Sequence, residues 1–253
     1  PFLNNVPSLI EMQNDLVRYT EREKMAANHR HECWQGREMK QDFIRARSSE
    51  QKSQRMADIK QANAQLYRES PYHEITLTTI AERLGWSRAS LYKYVTTKEE
   101  IFLELSADAR NAYYEDLLAA FPPTFEFDAS AIAASWAQIA EANKDWFVYG
   151  DILITIIETN VTLDRLKVFK KGYFDYLDQL YSQMGAMLGV SKDRFNYLIS
   201  TIHFHGTGMV GGCAANPMVS QALNELGIDN PKLDFRSSME EFICMCLHHW
   251  HVE

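Results

Sequence analysis

Beyond about residue 48, apolar side chains recur every three or four positions through most of the chain, the spacing of amphipathic helices. Met56, Ile59, Ala62, Ala64 and Leu66 form one such stripe and predict a helix from about 48 to 69, stopped by Ser70-Pro71. Leu77, Ile80, Ala81 and Leu84 share a face of a second, short helix. Gly85 gives the backbone freedom for a turn, and Ser87 is placed to cap a third helix that buries Leu91. A longer helix is predicted over 98–120, ended by Phe-Pro-Pro-Thr at 121–124. Further helical patterns at 128–142, 144–159, 162–188, 191–210 and 235–251 predict a bundle, with a Gly/Asn/Pro-containing connection between Gly211 and Pro231. Ahead of all these, Leu9, Met12, Leu16 and Tyr19 keep helical spacing behind Ser8. Residues 1–39 are therefore read as an extension, one helix or partly disordered.

Composition agrees with an all-α chain: 253 residues, 46% hydrophobic, with 11 Gly and 7 Pro. The length suffices for one large or two modest domains. Net charge is −8, which by itself argues against a nucleic-acid binder, but the charge is unevenly placed. Residues 40–104 are the one cationic segment, at net +2, while residues 105–253 carry net −9. An acidic body with a cationic head favours docking of DNA at the head alone. Four cysteines (Cys33, Cys213, Cys244, Cys246) are too few for a disulfide framework. No apolar stretch is long enough to cross a membrane, and the start shows no signal peptide. A cytoplasmic protein without a membrane partner is expected.

The third helix is the informative one. It exposes Arg88, Ser90, Tyr92 and Lys93, a face of small, hydroxylated and cationic groups suited to a DNA major groove. Arg88 and Lys93 can each reach a guanine edge or a phosphate. Ala89 and Ser90 are small enough to allow close approach, and Thr76 and Thr78 are phosphate candidates at the start of the second helix. Tyr92 faces the DNA or packs inward; both readings stay open.

Thr76, Ile80, Ala81, Gly85, Ser87, Leu91, Tyr92, Tyr94, Lys98, Glu99 and Phe102, within the runs GWSRASLYKY and TKEEIF, resemble the DNA-binding domain of the tetracycline-repressor (TetR) family of transcription regulators. Leu84, Trp86 and Val95 depart from the usual Ala, Val and Phe. The close resemblance covers about residues 48–105. It implies a helix-turn-helix domain at 40–105 and a helical ligand-binding and dimerisation domain at 106–253. It also implies phosphate contacts by Tyr94 and Lys98, and a homodimer built by the helices at 191–210 and 235–251. The DNA-facing candidates are thus Thr76, Thr78, Ser87, Arg88, Ala89, Ser90, Tyr92, Lys93, Tyr94 and Lys98. The implied partner is a near-palindromic double-stranded operator, from which a repressor is released by a small-molecule effector.

The bundle is rich in aromatics, and a mostly apolar pocket with a few polar groups is what such an effector needs. The candidates are Trp136, Trp146, Tyr149, Asp151, Glu158, Tyr173, Met184 and His203. An inward Asp151 or Glu158 would favour a cationic or hydroxylated ligand. Against this stands an ordinary packed core, because aromatics at helical spacing mostly just pack. Gly206-Thr-Gly-Met-Val-Gly211 fits G-x-G-x-x-G but lacks the flanking strand and βαβ unit of a dinucleotide site, so no cofactor is expected. Cys244, Cys246, His248 and His251 do not have the spacing of a closed zinc site. They supply the alternative reading, a regulator controlled by metal there or by a protein partner. No nucleophile elbow or His-Glu-x-x-His occurs, and no enzyme is expected.

Overall fold

Side-chain caps set where the first helices begin. In the computed structural model, which describes residues 50–213, 217–229 and 234–250, those residues form only helices, turns and irregular links. The chain divides into two compact units, 1–57 and 58–253. Residues 50–57 are helical. In the second unit α1 (58–69) ends before Ser70-Pro71, and a short 3-10 turn (Tyr72–Glu74) follows. Helix α2 (Leu77–Leu84) starts from a reciprocal capping box, in which the Thr76 and Thr79 side chains each accept the other residue's backbone N–H. It ends at Gly85, whose φ of 66° is left-handed, and the Trp86 N–H reaches back to Ala81 O at 2.9 Å. Ser87 caps α3 (Arg88–Leu91) through the Ser90 N–H, and Thr97 caps α4 (Lys98–Ala120) through that of Glu100. Ile59, Ala62, Leu66, Ile75, Ile80, Ala81, Leu91 and Val95 are buried, as are Ile101 and Phe102 of α4. The short helices thus share a core with the first turns of the long one.

Helix α4 has 23 residues, about 35 Å at the usual rise. It runs through position 105, so the segments 40–105 and 106–253 share this helix. The bundle adds α5 (Ala129–Ala142), α6 (Lys144–Ile152), α7 (Leu163–Leu188), α8 (Lys192–Cys213), α9 (Pro217–Glu225) and α10 (Phe235–Trp250). Helix α5 packs on α10, α6 on α8, and α4 on both α6 and α7. Trp136, Tyr114, Phe121, Phe147 and Phe195 are among the fully buried side chains. At Gly206, inside α8, an added Cβ would lie 2.5 Å from the Phe147 ring and 3.2 Å from Met239 Sδ. This glycine lets three helices approach closely, in a segment that is helical throughout.

Two elements differ from expectation. The helix expected over 144–159 is α-helical only to Ile152, and Leu153–Ile157 forms a π turn closed by the Glu158 N–H on Leu153 O. The run Ile152-Leu-Ile-Thr-Ile-Ile157 is rich in β-branched residues, which crowd an α-helix. The Thr155 hydroxyl also donates to Asp151 O at 3.3 Å, competing with the regular ladder. The connection expected between Gly211 and Pro231 contains α9, which Pro217 opens at a position where a missing N–H costs nothing. The expected extension over 1–39, Cys33 and His251 lie outside the described residues.

Candidate nucleic-acid interface

The α2–turn–α3 segment presents its polar groups on one side of a buried core. Leu91 is fully buried beneath α3, while Arg88, Ala89 and Lys93 are exposed and Tyr92 is 47% exposed. Tyr92 therefore points outward. Helix α3 is α-helical only to Leu91. The chain then tightens, with the Tyr94 N–H donating to Leu91 O at 2.9 Å, so Lys93 sits on a turn rather than on a full second helical turn. Ser87 and Ser90 hydroxyls are 2.9 Å apart. Arg88 and Lys93 have no ion-pair or hydrogen-bond partner among the described residues, whereas nearby Arg83 is held by Glu69 at 2.5 Å. Two uncommitted cations beside a hydroxyl pair suit phosphate oxygens and base edges. Thr76 is exposed and Thr78 half-buried. Tyr94 is half-buried, its ring 6.1 Å from that of Trp86.

Lys98 is placed differently from the other cations. Its ammonium donates to Tyr72 O at 2.7 Å and Ile75 O at 2.8 Å and lies 3.8 Å over the Tyr72 ring. Burial lowers its pKa, with Glu99 opposing. One of its three N–H groups is left for a phosphate. Glu99 accepts the Tyr72 hydroxyl at 2.6 Å, and Glu100 accepts the Thr96 N–H at 2.9 Å. Three consecutive side chains at the start of α4 thus pin the reading segment to the helix that enters the bundle.

The bundle residues named from the sequence are spread out rather than gathered in one place. Trp136 and Met184 are fully buried. The Trp136 Nε1 donates to the Tyr113 hydroxyl at 2.6 Å, a core contact. Tyr149 stacks with Tyr67 at 5.9 Å, and Tyr173 is half-buried. Asp151 is exposed, and Glu158 is tied to Lys170 at 2.7 Å. Neither presents a free inward carboxylate. Trp146 and His203 do meet, ring centroids 4.5 Å apart. Trp146 Nε1, His203 Nδ1 and Thr207 Oγ1 are buried without partners among the described residues.

Burial lowers the His203 pKa to about 4, so it is held neutral. The unfolded chain binds this proton near pH 6.5. Stability from this group is therefore whole above pH 6.5 and falls as the pH drops toward 4, by at most about 3 kcal/mol. Denaturant midpoints measured across that window should fall less steeply for His203→Gln. Equal slopes would show that His203 is protonated in the folded protein.

A second site has no counterpart among the sequence candidates. Leu103, Glu104, Ala107, Asp108, Arg110 and Asn111 of α4 and Asp164, Arg165, Val168, Phe169 and Gly172 of α7 line a cleft of about 550 Å³. Arg110 is only 4% exposed. It sits among the helical positions of a long helix, where periodicity does not distinguish a buried cation from a solvated one. Cys244 and Cys246 are free thiols, the latter buried, and His248 is exposed. No group of three or more potential metal ligands occurs among the described residues.

A buried-core helix-turn-helix with exposed cations on and just after its short second helix, carried on a helical bundle, defines a class of DNA-binding regulator. Residues 59–105 match the family described as bacterial regulatory proteins, tetR family, and residues 107–248 match the tetracyclin repressor-like, C-terminal domain. The chain belongs to the TetR family of DNA-binding transcription regulators. Solved structures with a similar fold include the fatty acid degradation regulator FadR from Bacillus halodurans. It is 15% identical with a TM-score of 0.50, over 76% of this chain and 93% of that one. PfmR, a TetR family regulator from Thermus thermophilus, is 17% identical with a TM-score of 0.50, over 75% and 97%. A TetR/AcrR family regulator from Thermobifida fusca is 16% identical with a TM-score of 0.48, over 79% and 100%. No curated protein matches the chain.

Proposed function

We propose that this regulator binds a near-palindromic operator as a homodimer and represses until a small molecule enters its helical bundle. The observation that carries the operator reading is a pair of exposed cations, Arg88 on α3 and Lys93 on the turn after it, with no ion-pair or hydrogen-bond partner among the described residues. Thr76, Thr78, Ser87, Ala89, Ser90, Tyr92, Tyr94 and Lys98 complete the proposed contact set. One four-residue helix reads too few base pairs alone, and two heads on a two-fold axis read two half-sites. The dimer reading is supported by α8, which exposes Tyr197 (63%) and Phe204 (58%), one heptad apart, beside open space at Gly208 and Gly211. An apolar face of that kind on a regular helix is what a partner helix covers. Effector release would work through α4, because any shift of that helix carries the reading head with it through Lys98, Glu99 and Glu100.

Selection of bound genomic fragments by the full chain, beside sedimentation at micromolar concentration, tests this reading. Recovery of an inverted repeat bound by a dimer is the expected result, with affinity falling steeply as salt rises. A monomer that enriches no sequence over random DNA would remove it.

A further inference from the structure

The α4–α7 cleft holds a buried cation, Arg110, that makes no ion pair among the described residues. Arg110 donates from Nη1 to Phe169 O at 2.8 Å, and from Nε and Nη2 to Asn111 Oδ1 at 3.2 and 2.9 Å. Its guanidinium lies 4.7 Å from the Phe169 ring centroid. Three of its five N–H groups are used, and no carboxylate pairs with it among the described residues. Burial lowers its pKa, and the nearby tyrosines only partly oppose this. The other charged side chains along the cleft are already matched. Arg165 pairs with Glu100 at 3.1 Å and Glu104 at 3.4 Å, and Asp108 pairs with Lys60. Asp164 faces Lys167 at 3.7 Å. A buried cation without a counter-charge is costly and is normally paired. Leu103, Ala107 and Val168 give the same cleft an apolar wall.

We propose that this cleft binds an amphipathic anion, a carboxylate or phosphate monoester on an apolar body, with the acid group on Arg110 and the body against Leu103, Ala107 and Val168. This rests on the regulator reading above and names the effector class. Guanidinium is the group best shaped to hold an oxyanion through two parallel hydrogen bonds. The same geometry supplies the route to DNA. Arg165, the second cation of the cleft, holds Glu100, and the other oxygen of Glu100 holds the Thr96 N–H just after the reading segment. An acid group in the cleft competes for Arg165. That loosens Glu100 and the turn it fixes, so operator affinity drops as the anion binds.

Calorimetric titration of the full chain with decanoate, decyl phosphate and the neutral decanamide tests the site. At least one acid should bind ten-fold or more tightly than the amide, and the preferred acid identifies the head group. Arg110→Met should weaken that acid at least ten-fold while keeping the wild-type melting temperature or raising it, since it removes an unpaired buried charge. Gly172→Ala is the second variant. Its Cβ would lie 2.8 Å from Arg110 Nη2, displacing the guanidinium, while alanine favours the helix. It too should weaken the acid several-fold without loss of fold. Equal binding of acid and amide, unchanged binding in Arg110→Met, or no binding of either acid overturns the proposal. Operator binding with no acid binding removes this site alone. Acid binding through Arg110 by a protein that selects no DNA removes the regulator reading and leaves the site.

Discussion

An Arg88→Ala/Lys93→Ala double variant should bind the selected operator about 2–4 kcal/mol more weakly than wild type, roughly 30- to 1,000-fold. Both side chains are exposed and have no partner among the described residues, so their removal leaves the buried core of Ile80, Ala81, Leu91 and Val95 intact. The melting temperature should therefore stay within a degree or two of wild type, because surface changes away from caps and cores cost little. The single variants separate two kinds of contact. Loss of a base-reading group relaxes preference at one operator position. Loss of a phosphate-reading group weakens all sequences alike and lowers the salt slope by about one. Arg88 is on the regular turn of α3 and Lys93 on the tightened turn that follows. We expect Arg88→Ala to relax specificity and Lys93→Ala to flatten the salt dependence. Wild-type affinity in the folded double variant would mean that the operator is read by another surface.

What the sequence made legible here is what local chemistry fixes. Ser87 and Gly85 are capping and turn residues whose roles depend on their immediate neighbours, and the structure places each at the helix end its type predicts, while Thr76, read as a phosphate candidate, also caps α2. The buried stripe of α2 and the burial of Leu91 under α3 follow from helical spacing, whereas the outward placing of Tyr92 and Lys93 comes from the turn after α3. Other features depend on contacts distant in sequence and left no local trace. Lys98 lies at a helix start and reads as free, yet the carbonyls that hold it belong to Tyr72 and Ile75, 26 and 23 residues away. Arg110 is spaced like any surface cation of a long helix. It is the approach of Phe169, Gly172 and Tyr176 from α7 that covers it. The aromatic residues of the bundle show the reverse. Their abundance suggests a binding pocket, but Trp136 and Tyr149, like the neighbouring candidate Met184, are engaged in core packing, where stacking and pocket-lining look alike in a sequence.

Trp136→Ala should be among the most destabilising single changes in the bundle, by about 3–5 kcal/mol. Trp136 has no exposed surface, its ring lies 6.1 Å from that of Phe121, and its Nε1 holds the Tyr113 hydroxyl at 2.6 Å. Truncation removes the largest side chain of α5, leaves a cavity between α4 and α5, and strips a buried hydroxyl of its donor. Against the 5–15 kcal/mol that typically holds a folded domain, this is a large share. Trp136→Phe keeps most of the packing and loses the hydrogen bond, so it should cost about 1–3 kcal/mol. Urea midpoints for the two variants and for Tyr113→Phe check the assignment. Because Trp136 and Tyr113 share one bond, the Trp136→Phe/Tyr113→Phe pair should be less destabilised than the sum of the single changes. The outcome also decides what this tryptophan is for. If Trp136→Ala folds as stably as wild type but binds the acid ligand more weakly, Trp136 is an effector contact, and the buried packing seen around it is not what keeps it there. If stability falls as expected, and Trp136→Phe binds decanoate as wild type does, the residue belongs to the core and the effector is recognised elsewhere, along the cleft that Arg110 lines.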